Sequence, residues 1–126
     1  MEVNKLPILG QVIKRIAITD DKQSIFFFMQ NGDLWEMTHD QECCEVVEID
    51  DIEGEIYEIR YSTLTQAEEV INDNPEGYED DSYYSHTWTF YKFANSNGYV
   101  TIKWHGKSNG YYSETVSFKL LGTLKH

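Results

Sequence analysis

Apolar and polar positions along this chain alternate more often than they repeat with a helical period, and the alternation predicts strands. Residues 10–19 (GQVIKRIAIT) form a β-branched stretch closed by Asp20-Asp21. Residues 24–30 (SIFFFMQ) make an apolar run of strand length. Asn31-Gly32 follows as a hairpin turn, and residues 33–38 (DLWEMT) pair back. Residues 45–49 predict a further strand. Two segments carry a helical pattern instead. Ile52, Ile56 and Ile59 are spaced for one helical face, weakened by Gly54, and residues 65–72 (TQAEEVIN) predict a short helix with Thr65 as its N-cap. Asn74-Pro75-Glu76-Gly77 ends that helix.

The last third is the most regular. Residues 85–93 (SHTWTFYKF) place His86, Trp88, Phe90 and Lys92 on one face and Thr87, Thr89, Tyr91 and Phe93 on the other. Turns at Asn97-Gly98 and Asn109-Gly110 separate this strand from residues 99–105 and 111–120, predicting a three-stranded meander. The expected fold class is α+β: mainly antiparallel β-sheet with one or two short helices, in one domain over residues 1–126.

Charge changes this picture. The chain of 126 residues has a net charge of −12, and the charge is uneven. Residues 33–91 hold 18 acids and one base, Arg60, for −17, while the remainder holds 4 acids and 9 bases, for +5. Such density repels phosphate backbones and excludes ordinary nucleic-acid binding, yet it attracts a cationic partner. The tyrosines beside the second acidic run suit a protein interface. The expected partner-binding set is therefore Glu68, Glu69, Asp73, Glu76, Tyr78, Glu79, Asp80, Asp81, Tyr83 and Tyr84. No apolar run reaches membrane-spanning length, and the first residues lack a signal-peptide pattern, so a cytoplasmic protein is expected.

Chemistry-bearing residues are few. Cys43 and Cys44 are adjacent, a poor arrangement for a structural cross-link, and with His39 they offer soft ligands to zinc. His86 is the preferred fourth ligand, giving an expected Zn²⁺ site of His39, Cys43, Cys44 and His86. One core cysteine beside one turn cysteine is the competing reading. A reactive thiolate is disfavoured by flanking Glu42 and Glu45. No phosphate loop, nucleophile elbow or His-Glu-x-x-His helix occurs, and the expectation is a protein without enzymatic activity.

Four motifs together carry a resemblance: Ile8-Leu9-Gly10, Asp40-x-x-Cys43-Cys44-Glu45, the strand opening at His86-Thr87-Trp88, and Ser108-Asn109-Gly110-Tyr111-Tyr112-Ser113. Over residues 10–118 the chain resembles a small family of proteins encoded in phages and prophages. That resemblance implies action inside a bacterial host cell. It also implies, by analogy with small acidic phage inhibitors, antagonism of a CRISPR–Cas nuclease of the Cas9 type. The alternative is a phage accessory protein that binds a small molecule or metal and has no nuclease partner.

Overall fold

A computed structural model describes residues 2–73, 85–109 and 112–124. The described residues form nine strands: β1 Glu2–Lys5, β2 Ile13–Ile18, β3 Ser24–Met29, β4 Asp33–Thr38, β5 Val46–Glu53, β6 Gln66–Asp73, β7 Ser85–Asn95, β8 Gly98–Ser108 and β9 Ser117–Thr123. They form a five-stranded antiparallel sheet, β1-β6-β7-β8-β5, and a four-stranded one, β2-β3-β4-β9.

The sheets bury their facing sides against each other, which is what period-2 patterning demands. Ile25, Phe27 and Met29 alternate inward from β3, and Val100, Ile102 and Trp104 from β8. Phe27 bridges the layers, with ring centroids 5.6 Å from Phe93 and 5.7 Å from Phe118. The indole N–H of Trp104 donates across the core to the Met37 sulfur at 3.3 Å. Outside the core, β7 turns His86, Trp88, Phe90 and Lys92 to the other side, as the alternation predicts.

Three expectations are corrected. The protein is mainly β, not α+β, and the only helix among the described residues is a 3-10 turn, Ile56–Ile59. Gly54 stops any helix from Ile52: its φ is +93°, and a Cβ there would lie 2.4 Å from the Tyr99 carbonyl oxygen. Residues 65–72 form not a helix but most of β6, paired in register with β7 on one side and β1 on the other. Ladder bonds to two neighbours outweigh a weak helical preference, and Val70 and Ile71 suit a strand. Thr65 hydrogen-bonds the Ala94 carbonyl in place of capping.

The meander is shorter than expected. β7 and β8 form a hairpin whose closing pair is Asn95 and Gly98, so its turn is Ser96-Asn97. The following strand leaves β8, crosses layers and pairs with β4 in the other sheet. Residues 112–116, the crossing segment, pass over Gly106 of β8 like a strap, and the Tyr91 hydroxyl of β7 lies 3.3 Å from the Val116 carbonyl oxygen.

Candidate interaction surface and its supporting clasp

Among the described residues β5 is an edge strand, bonded to β8. Its register sets Glu48 opposite His105, Asp51 opposite Lys103 and Glu53 opposite Thr101, with a bulge between Ile49 and Asp51. Val47 turns into the core, while Glu48, Asp50, Asp51 and Glu53 are exposed. Exposed Asp40, Glu42, Glu55 and Glu58 extend the line beyond both ends of the strand. Among the described residues, lysines reach only two of these carboxylates: Lys103 lies 3.6 Å from Asp50, and Lys119 lies 3.5 Å from Asp40. The outcome is a coherent negative edge. Charge and bulge also disfavour pairing with a second copy of the same strand.

The approach to β5 is held by a clasp. Glu45 is buried, and its carboxylate accepts the amide N–H of Glu42 at 2.8 Å and of Cys43 at 2.9 Å. His39 Nε2 stands 2.8 Å from Glu45 Oε2, and His39 Nδ1 stands 2.8 Å from the Thr115 carbonyl oxygen. Both partners are acceptors, so a ring carrying both protons satisfies the two at once. Burial pushes the Glu45 carboxyl up, but the amide N–H groups and His39 outweigh it and bring it down to about 2. Glu45 and His39 thereby tie the end of β4, the turn before β5 and the strap together.

The expected zinc ligands sit as follows. Cys43 and Cys44 occupy a bend and are joined to each other by a disulfide, contrary to the expectation from their adjacency. His39 is engaged by Glu45 and Thr115. His86 is on the outer side of β7, with Nδ1 3.0 Å from His105 Nε2 and the two rings stacked. Among the described residues, no three His, Cys, Asp or Glu side chains come together to hold a metal ion. The four side chains stand in three separate groups, Cys43 with Cys44, His39 with Glu45, and His86 with His105.

His105 also stacks on Trp88, with centroids 4.2 Å apart, and the Lys103 ammonium lies over the Trp88 ring. Burial and neighbouring His86 lower the His105 pKa, against the opposing pull of Asp50, Glu48 and Glu114.

Of the expected partner-binding residues, Glu68 and Glu69 lie on β6, away from the acidic edge. Glu68 faces Lys5 and Lys92 in register. Glu69 accepts the Tyr91 hydroxyl at 2.7 Å and the Asn4 amide. Asp73 ends β6. Glu76, Tyr78, Glu79, Asp80, Asp81, Tyr83 and Tyr84 lie outside the described residues. The β5 acids belong to the first acidic run. Their alternation with Val47, Ile49 and Ile52 was the available signal that they share an exposed side.

Residues 7–118 match the family described as Domain of unknown function (DUF7448), and the chain belongs to that family. No curated protein and no solved structure matches it. Among the described residues, no helix is long and apolar enough to cross a membrane.

Proposed function

We propose that this DUF7448 protein is a non-enzymatic inhibitor that docks its acidic β5 edge against the cationic nucleic-acid channel of a host-defence nuclease and denies DNA access. The partner class, a CRISPR–Cas nuclease of the Cas9 type in the bacterial cytoplasm, comes from the phage-family resemblance. The supporting observation is the run of exposed carboxylates along the β5 edge, of which, among the described residues, Asp50 and Asp40 lie within 4 Å of a lysine ammonium. A basic channel built for a polyanion offers the complementary surface, and opposite fields accelerate encounter. The same field repels nucleic acid itself, so the protein acts on the nuclease and not on DNA. Zinc enters no step of this reading. Elemental analysis of protein purified without added metal measures zinc content directly.

The test is capture of purified Cas9-type nuclease on immobilised protein, followed by a DNA-cleavage assay. Expected are binding that weakens strongly between low and high salt, and loss of cleavage upon binding. Absence of binding, or binding indifferent to salt, overturns the proposal.

A further inference from the structure

We infer that the outer face of the four-stranded sheet binds a linear anionic amphiphile, a free monocarboxylate with an unbranched alkyl chain. The acidic edge belongs to the other sheet, and the site does not depend on that reading. Strand register lines up Arg15 of β2, Phe28 of β3, Leu34 of β4 and Gly122 of β9 as one cross-strand row. Paired residues point to the same side of a sheet, and Ile25, Phe27 and Met29 take the core side of β3, so the row faces outward. Three strand spacings make the row about 14 Å long, the span of an extended chain of about ten carbons with its carboxylate. Two adjoining cavities, of about 200 and about 250 Å³, open along it and share Phe28 and Leu124 as walls.

Polarity changes from one end of the row to the other. The larger cavity is lined by Phe28, Leu34, Leu121, Gly122, Thr123 and Leu124, without a charged side chain. Lys14 and Arg15 line the smaller one. A β-bulge between Ile13 and Arg15 leaves both of these cations exposed, where strict alternation would turn one of them inward. Among the described residues neither has a carboxylate within 4 Å. The Arg15 guanidinium lies over the Phe28 ring, 5.1 Å from its centroid, and a stacked guanidinium keeps its in-plane N–H donors for bidentate binding of a carboxylate. Asp33, the acid that lines this cavity, accepts the Thr123 hydroxyl at 2.6 Å and the Asn31 amide at 3.2 Å. The shared wall is built by the β3–β4 turn. Leu124 N–H donates to the Gly32 carbonyl at 2.9 Å, and a Cβ on Gly32 would lie 2.4 Å from the Leu124 carbonyl oxygen, so glycine at this turn lets the segment after β9 close in. Leu121 and Leu124 remain 47% and 67% exposed, apolar surface that an alkyl chain would cover. At Gly122 an added Cβ would meet nothing within 4 Å, so the apolar end is open beside Leu34.

Decanoate, kept below its micelle concentration, is the probe, titrated against the intact chain while the amide signals of Phe28, Leu34 and Gly122 are followed by NMR. Saturable shifts are expected. Arg15→Gln, at an exposed position, is expected to weaken binding about tenfold by removing a charge-assisted bond. Gly122→Val fills the space beside Leu34 and is expected to abolish saturation; if it fails to fold, Arg15→Gln carries the test. Decanol and decyltrimethylammonium have the same chain without the carboxylate and are expected to bind at least about tenfold more weakly. Absence of saturable shifts, affinity unchanged in Arg15→Gln or in a folded Gly122→Val, or equal binding of decanol or decyltrimethylammonium overturns the proposal. Binding confined to phosphatidylglycerol vesicles, read by co-sedimentation, assigns the face to a membrane surface and also overturns it. Because the titration uses the isolated chain, its failure leaves the acidic-edge reading standing.

Discussion

Reversing one charge on the acidic edge separates a binding role from a stabilising one. Glu53 is exposed at the end of β5. Asp51 and Glu55 stand two residues away on either side, and Lys103 lies diagonally across on β8. The balance is about one like charge at ~7 Å, two strand residues' rise. In water that repulsion is about 0.6 kcal/mol before screening. Screening cuts it to about 0.25 kcal/mol at physiological salt and leaves about 0.5 kcal/mol near 10 mM. Glu53→Lys turns the repulsion into an equal attraction, so the folded state gains roughly 0.5 kcal/mol at physiological salt and roughly 1 kcal/mol at 10 mM. For a chain of this size a gain of 1 kcal/mol raises the melting temperature by about 4 °C. Thermal melts at the two salt concentrations, and again near 1 M where the difference should vanish, read this directly. The same substitution is expected to weaken nuclease capture, because the edge has lost two units of negative charge. A variant less stable than the parent, or a gain that does not shrink with salt, refutes the claim that these carboxylates repel one another in the folded protein.

Other consequences concern the clasp, the strap and the core. The Glu45 carboxyl is held at about 2 against an ordinary value of 4.5, so its stabilising effect is complete above about pH 4.5 and is lost as pH falls through about 2. Urea midpoints of wild type and Glu45→Gln should therefore differ most near neutrality and converge in acid. The lowered His105 pKa acts in the same direction: stability falls as pH drops below the ordinary histidine value of 6.5, and His105→Asn should flatten that part of the profile. Gly106→Ala drives a methyl into the strap and should cost about 1–3 kcal/mol in urea unfolding, while displacing Glu114 and its bond to Ser108. Phe27→Ala removes the fully buried ring between the two sheets, and a loss of about 3–5 kcal/mol is expected from denaturant titration.

Much of the β architecture was legible because it is local. The SIFFFM and DLWEMT runs flank an Asn-Gly turn, and they form the β3–β4 hairpin with the expected alternation. The β7 alternation likewise put Tyr91 and Phe93 on one face and Trp88 on the other, and the packing of the two sheets made the first of these the core. The errors fall where pairing is long-range. TQAEEVIN has a helical spacing of its own, and it became a strand because β1 and β7 supply hydrogen-bond partners distant in sequence. The strand that follows Asn109-Gly110 in sequence pairs with β4, some eighty positions earlier, and no local signal distinguishes that from pairing with β8.

The candidate sites divide along the same line. An excess of acid in the centre of the chain is a property of composition, and its attraction for a cationic surface follows without coordinates. That Glu48, Asp51 and Glu53 share an open edge, while Glu68 faces lysines and Glu69 is bonded by Tyr91, depends on strand order. In the sequence Glu114 is a lone acid between Ser113 and Thr115, at the end of the Ser-Asn-Gly-Tyr-Tyr-Ser motif. Its burial over Gly106 and its bond to Ser108 arise only when the strap crosses between layers. Alternation and turn chemistry act between near neighbours and are written in the chain, whereas sheet order and register are settled by contacts between distant segments, and those contacts decide which carboxylates face solvent and which are enclosed.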